Sequence, residues 1–167
     1  LNVDKDLINA FQKERNTDIA LTLAVPVGKT KSEAALNALL SKYKNSADHR
    51  VKVSAIKALS SFDYNLVRDT IFQALKHPNP HIKQVALDYL MNSGTAQDAN
   101  AYRLMARDTT YSTAVQIGLL TAANKHLPAY FTNYLGRANY SLQQIFQREK
   151  DVYLKAAALR GMGYYER

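Results

Sequence analysis

The sequence predicts an all-α fold in which about four helical hairpins stack into an α-α superhelix. Apolar residues recur three and four positions apart along most of the chain, as they do on the buried face of a helix. One such pattern returns several times at intervals of about thirty residues, which is typical of stacked helical units. Glycine and proline number only six and four, too few for an all-β chain with many turns.

The N-terminal part of the chain is predicted to form three helices, at residues 4–14, 17–25 and 30–44. Pro26 is expected to end the second helix, because proline lacks an N–H group and restricts the residue before it. Thr30 and Glu33 have the spacing of a capping box, in which each side chain accepts a hydrogen bond from the other residue's N–H group. This capping box is predicted to begin the third helix.

The strongest pattern begins at Asp48, a good N-cap residue, and places Val51, Ala55 and Leu59 on one helical face. The pattern returns at Asn79, more weakly at Asp108, and again at Asp151, so its starts are 31, 29 and 43 residues apart. The helices predicted from it span residues 48–62, 64–76, 80–92, 96–107, 110–123, 128–137, 141–149 and 151–164. The helix at 141–149 is introduced to account for the longest interval.

The segments 48–59 and 79–90 resemble the first helix of a HEAT repeat, because each has a capping residue, an apolar residue followed by lysine, and then Ala and Leu. The resemblance extends over residues 48–165 and implies a HEAT-repeat array, a class that provides scaffolds, carriers, docking surfaces and, rarely, nucleic-acid enzymes. We therefore expect residues 1–167 to be a single HEAT-repeat domain within a longer protein. The apolar character of the last helix supports that expectation, since end repeats usually turn a polar face outward.

No motif predicts a catalytic, cofactor-binding or metal site. His77 and His81 have the spacing of ligands on a helix, but the prolines at 78 and 80 prevent a helix there. The sequence has no cysteine. Residues 27–30 resemble the end of a phosphate-binding loop, but Leu23 stands where that loop needs glycine, so we interpret the segment as a helix-capping turn. We expect no enzymatic activity and no cofactor.

Charge and tyrosine content favour a binding function. The chain has 22 Lys and Arg against 14 Asp and Glu, a net charge of +8, and its 11 tyrosines lie mostly in the second half. Tyrosine offers rigid contact area with a polar tip. The main prediction is a scaffold that binds a protein or peptide partner through a concave surface. The candidate partner-binding residues are Tyr102, Tyr130, Tyr134, Lys42, Lys44 and Arg50.

Two alternative functions stay open at this point. The basic segments 29–62 and 111–167 could bind nucleic acid, although lysines on the solvated faces of helices would produce the same composition. A HEAT-like DNA glycosylase is the second alternative; the absence of tryptophan and the scattered arginines argue against it. Likewise, the candidate tyrosines could serve only core and rim packing. No apolar run is long enough to predict membrane insertion.

Overall fold

The computed structural model describes residues 2–127 and 132–164, with residues 132–135 described by their backbone alone. The described residues form ten α-helices and no strand, which confirms the predicted all-α class. The helices are α1 (Val3–Lys13), α2 (Thr17–Lys29), α3 (Glu33–Asn45), α4 (His49–Leu59), α5 (Tyr64–Ala74), α6 (Pro80–Ser93), α7 (Ala99–Met105), α8 (Thr113–His126), α9 (Thr132–Arg148) and α10 (Val152–Met162).

The helices belong to two compact units. Unit 1 is Leu1–Tyr89 and unit 2 is Leu90–Arg167, so that α6 contributes residues to both. In unit 1, α1 and α4 each pack against α2 and α3. In unit 2, α8 packs against α7, α9 and α10, and α9 also packs against α10. Helices α2 and α3, which also pack against each other, are therefore central to the packing of unit 1, and α8 has that place in unit 2.

Helix α4, which begins at the strongest sequence pattern, contributes several residues to the core of unit 1. Ala55, Ile56 and Leu59 of α4 are fully buried, and Val51 is nearly so. Burying one large aliphatic side chain contributes about 1.5–3 kcal/mol relative to leaving it in water. The carboxylate of Asp48 accepts a hydrogen bond of 2.9 Å from the backbone N–H of Arg50, which confirms Asp48 as the N-cap.

The repeat pattern also locates the starts of α6 and α10 correctly. The side chain of Asn79 accepts hydrogen bonds from the N–H groups of His81 and Ile82, at 2.9 and 3.4 Å. The carboxylate of Asp151 accepts from the N–H groups of Tyr153 and Leu154, at 2.8 and 3.1 Å. A polar cap followed by a buried apolar stripe is a local pattern, so it can be recognised without knowledge of the tertiary structure.

Two predictions about helix ends in the N-terminal part are wrong. Helix α2 continues through Pro26 to Lys29, because Pro26 lies on the exposed face while Val27 and Gly28 are buried. The carbonyl of residue 22, which loses its helical partner to the proline, is then on the exposed side of the helix. The cap of α3 is Ser32, whose hydroxyl accepts from the N–H of Ala35 at 3.1 Å. The predicted capping box between residues 30 and 33 is therefore not formed.

Two predictions in the C-terminal part are also wrong. Helix α8 begins at Thr113, capped by Ser112, rather than at residue 110. Helix α9 is one helix of 17 residues, where the sequence predicted two helices at 128–137 and 141–149. Ala138 and Leu142, one turn apart, are both buried and hold the helix together across the predicted break. This long helix accounts for the 43-residue interval between repeat starts.

Candidate partner-binding site

Lys42, a predicted partner-binding residue, makes its polar contacts within unit 1. Its ammonium group donates hydrogen bonds to the carbonyl oxygens of Phe11 and Glu14, at 2.8 and 2.7 Å. The ammonium nitrogen also lies 5.2 Å from the centroid of the Phe11 ring. The last carbonyls of a helix have no partner within the helix, so Lys42 completes the C-terminal end of α1. Burial lowers the pKa of Lys42, and the nearby Glu14 carboxylate opposes that shift.

The same kind of contact occurs at two other helix ends. Lys52 donates to the carbonyl of Tyr43 near the end of α3 at 2.6 Å, and its ammonium lies 4.9 Å from the centroid of the Tyr43 ring. Lys125 donates to the carbonyl of Met91 near the end of α6 at 2.5 Å. Cations at these positions also interact favourably with the negative end of the helix dipole. Part of the excess positive charge of the chain is thus used to stabilise its own helix ends.

Arg50 is exposed but is paired with acidic groups of its own unit. Its guanidinium lies 3.0 Å from the carboxylate of Asp48 and 3.9 Å from that of Asp18. The pKa of Asp48 is lowered to about 2, mainly because its carboxylate accepts hydrogen bonds from the side chain and from the backbone N–H of Arg50. Lys44 is exposed near the end of α3, and its role in partner binding stays a prediction.

A large cleft of unit 1 lies beside these residues. It has a volume of about 770 Å³ and is lined by the end of α1, by the second half of α3 and by the starts of α2 and α4. The helix ends at the cleft are already capped by Lys42, by Asn16, whose side chain accepts from the N–H of Ile19, and by Asp48. These caps satisfy groups that a ligand would otherwise bind, so the cleft does not identify a ligand chemistry.

The predicted tyrosines do not lie together on a described surface. Tyr102 has 0% of its surface exposed, and its hydroxyl accepts a hydrogen bond of 3.4 Å from the N–H of Thr95. Tyr102 therefore packs in the core of unit 2, which is the alternative role that the sequence left open for the candidate tyrosines. Tyr130 and the side chain of Tyr134 lie outside the described residues, so their roles stay predictions. Tyr140 of α9, by contrast, is 61% exposed.

Four arginines of unit 2 line one groove that the sequence interpretation missed. Two adjoining hollows, of about 290 and 300 Å³, share Arg103, Arg107 and Ser141 in their walls. Arg148 lines one hollow and Arg137 the other. We call this surface the arginine groove; its other described lining residues are Ala106, Thr109, Gln116, Leu120, Gly136, Tyr140, Gln144 and Ile145.

The groove has walls from two helices and a floor from a third. Arg103 lies on α7 and Arg107 in the turn after it, while Gln116 and Leu120 of α8 are buried beneath. Among the described residues that line the groove, none is acidic. The nearby carboxylate of Asp108 accepts hydrogen bonds from the N–H and hydroxyl of Thr110, at 2.9 and 2.7 Å. The groove therefore offers a concave surface with a strongly positive lining.

The sequence did contain a signal for part of this groove. Arg137, Ser141, Gln144 and Arg148 are four, three and four residues apart, which places them on one face of a continuous helix. The predicted break at residues 138–140 divided this stripe between two helices. The expectation that the arginines are scattered is consequently wrong for unit 2.

The described part of the chain offers little for catalysis or metal binding. In residues 2–127 and 132–164, no three His, Asp or Glu side chains lie close enough to hold a metal ion together. The rings of His49 and His81 stack at the surface of unit 1 with their centroids 5.9 Å apart. None of the described helices combines the length and apolarity that a membrane crossing requires.

Paired helices, repeated caps and buried apolar positions at repeat spacing define an α-helical repeat protein. The family model of HEAT repeats matches residues 36–118, and the chain is a HEAT-repeat protein. None of the curated proteins compared with the chain matches it. HEAT repeats generally serve as protein-interaction scaffolds, and the family is typically non-catalytic.

Proposed function

We propose that this chain is a protein-interaction module, which binds a protein or peptide partner and has no catalytic activity of its own. The observation that carries the proposal is the arginine groove, where four cationic side chains from separate parts of unit 2 line one concave surface. Arginine is enriched at protein interfaces, because its planar guanidinium donates several hydrogen bonds in fixed directions. Lys44, Tyr130 and Tyr134 stay candidate contacts in this proposal.

The contacts in unit 1 argue against the nucleic-acid alternative for residues 29–62. Lys42 and Lys52 donate to backbone carbonyls, and Arg50 is paired with carboxylates. These cations would have to give up contacts within the fold before they could bind phosphates. Nucleic-acid affinity depends on many cations that replace condensed counterions, and three of the seven basic residues of this segment are engaged in this way.

The glycosylase alternative lacks support at the groove. A base-flipping enzyme needs aromatic side chains that stack on the extruded base and an acidic group that acts in the reaction. The described lining of the arginine groove has one aromatic residue, Tyr140, and no carboxylate. The chain also has no tryptophan.

A random peptide library displayed on phage would test the proposal on the whole chain. We expect enrichment of peptides that compete with one another for a single surface. Hydrogen exchange measured with and without an enriched peptide should then show slower exchange in α7 and α9, since a bound peptide covers these helices. The helices α1 and α3, which are in unit 1, serve as the internal control and should exchange unchanged.

Two results would contradict the proposal. One is the absence of any enriched peptide, and the other is protection confined to helices that do not line the groove. Both readouts are independent of the charge of the selected peptides, so they test for a binding surface without assuming its ligand.

A further inference from the structure

We infer that the ligand of the arginine groove is an acidic peptide segment, bound in an extended conformation along α9 between α7 and α9. This inference rests on the proposed function and adds the chemistry of the partner. The hydrogen-bond donors of the groove are mainly guanidinium groups. A guanidinium binds a carboxylate through two parallel hydrogen bonds, so arginines in a groove without described acidic lining select carboxylates.

The spacing of the arginines along α9 fits a short extended segment. Arg137 and Arg148 lie on one face of the helix, about 16 Å apart along its axis at 1.5 Å per residue. An extended chain advances about 3.3 Å per residue, so a segment of about five residues spans this distance. Arg103 and Arg107 are four residues apart on the opposite wall. Nε and Nη2 of Arg103 donate to the side-chain oxygen of Asn100 at 3.1 and 2.7 Å, so a carboxylate there would be bound through the other N–H groups of this guanidinium. Acidic residues at both ends of the segment would therefore each meet arginines.

Polar side chains between the arginines suit a peptide backbone. Gln144 is exposed and lies between Arg137 and Arg148 on the face of α9 that lines the groove. Its amide can donate to a carbonyl and accept from an N–H group of the same peptide. The hydroxyl of Ser141 donates to the carbonyl of Arg137 at 3.1 Å and keeps its oxygen as an acceptor. The exposed ring of Tyr140 adds a contact for an apolar residue beside the acidic ones.

The same features favour a peptide over a nucleic acid. Proteins that bind single strands combine a positive groove with several aromatic side chains on which successive bases stack. Tyr140 is the single aromatic residue among the described residues that line this groove.

The test uses fluorescence anisotropy on the whole chain. The probes are a fluorescein-labelled oligoglutamate peptide of about six residues and a labelled oligothymidylate of equal charge. We expect the peptide to bind more tightly than the oligonucleotide. Two double variants each remove two positive charges from one wall: Arg103→Gln with Arg107→Gln, and Arg137→Gln with Arg148→Gln. Each should weaken peptide binding about tenfold, because charge-assisted hydrogen bonds are lost.

A third double variant provides the matched control. Arg160→Gln with Lys57→Gln also removes two positive charges, from exposed positions that do not line the groove. It should leave the peptide affinity within about twofold of the starting chain, since exposed charges outside the binding surface are screened by salt. Circular dichroism and thermal unfolding establish that all three variants are folded, so a lost affinity is assigned to the groove.

Three outcomes would overturn the inference. They are an equal loss of affinity in the control variant, tighter binding of the oligonucleotide than of the peptide, and no binding of the oligoglutamate peptide at all. In the last case, neutral peptides from the phage library that protect α7 and α9 would show that the groove binds peptides of another kind. That result would leave the proposed function standing while the acidic ligand is rejected.

Discussion

Gly28 of α2 lies in direct contact with Ala58 of α4. A Cβ atom added to Gly28 would be 2.8 Å from the carbonyl oxygen of Ala58 and 3.2 Å from its Cβ atom. The first distance is shorter than a carbon and an oxygen can approach without a shift of one helix. The absence of a side chain at residue 28 is therefore what lets α2 and α4 pack this closely, and that packing keeps α2 helical beyond Pro26.

The first prediction follows from this contact. Gly28→Ala should lower the free energy of unfolding by about 1–2 kcal/mol, because the clash with backbone exceeds the gain in helix propensity of about 1 kcal/mol. Urea denaturation of both proteins provides the measurement. Gly136→Ala is the matched control, since it also lies within a helix but its added Cβ would meet nothing within 4 Å. That variant should be more stable than the starting chain by about 0.5–1 kcal/mol.

The fold could be predicted where local patterns decide it. The caps Asp48, Asn79 and Asp151 and the apolar stripes after them are visible in the sequence, and the structure confirms them. Local rules failed where packing between helices outweighs them. At Pro26 the burial of the next two residues keeps the helix going, and in α9 the burial of Ala138 and Leu142 prevents a break. In both places the burial depends on neighbouring helices, so it cannot be predicted from the sequence of one segment.

The second prediction concerns the ammonium group of Lys42. Lys42→Met keeps most of the aliphatic stem but removes the donor to the carbonyls of Phe11 and Glu14. We expect the free energy of unfolding to fall by about 1 kcal/mol, which is typical of lost hydrogen bonds at a partly buried site. The decrease should be seen in urea denaturation and should be accompanied by faster amide exchange at the end of α1.

Lys44→Met provides the comparison for Lys42. Lys44 is exposed on the same helix, and substitutions at such positions usually change stability by less than about 0.5 kcal/mol. If the free energy of unfolding falls equally in both variants, the hydrogen bonds from Lys42 to the end of α1 contribute no measurable stability. The pair also separates a structural role from partner binding, because a contact residue would change affinity and leave stability unaltered.

The third prediction is a pH dependence at the start of α4. Hydrogen bonds from Arg50 lower the pKa of Asp48 from its ordinary value of 3.8 to about 2 in the folded chain. The unfolded chain therefore binds a proton at a higher pH than the folded chain does. The stabilisation from the ionised carboxylate is complete above pH 3.8 and is lost as the pH falls towards 2. Denaturation curves recorded across this interval would show the decline.

Two variants test the assignment to this pair. Asp48→Asn keeps an oxygen that can cap α4 but cannot ionise, and Arg50→Gln removes the guanidinium that holds the carboxylate ionised. Each should flatten the decline in stability between pH 3.8 and 2, and the double variant should flatten it no further. A decline that is as steep in Asp48→Asn as in the starting chain would exclude this carboxyl group as its source.

The candidate site could be predicted less well than the fold, for two physical reasons. The arginine groove is formed by α7, α8 and α9, and their rotation about their own axes is set by packing that no single helix encodes. Lys42 illustrates the second reason. It was predicted to contact a partner because it is basic, whereas the backbone carbonyls that accept its hydrogen bonds come from a helix about thirty residues earlier.

The fourth prediction concerns the imidazole of His126, at the end of α8. Its Nε2 atom lies 2.6 Å from the carbonyl oxygen of Leu90, so Nε2 carries the proton that is donated. Burial lowers the pKa of His126 below its ordinary value of 6.5, and the cation of Lys125 lowers it further, although the hydrogen bond to Leu90 opposes both. The unfolded chain thus takes up the proton first as the pH falls. Stability should decrease below pH 6.5, and His126→Gln should reduce that decrease.

Nuclear magnetic resonance can separate the contributions to the pKa of His126. A titration of its ring resonances should give a midpoint below 6.5 in the folded chain. Lys125→Met removes the neighbouring cation and keeps most of the aliphatic stem, so the midpoint should rise. The pKa of His77 is lowered by burial and by the cations of Lys52 and Lys83 rather than by Lys125, so His77 should titrate unchanged in this variant. A midpoint of His126 that is unaffected by Lys125→Met would assign its lowered pKa to burial alone.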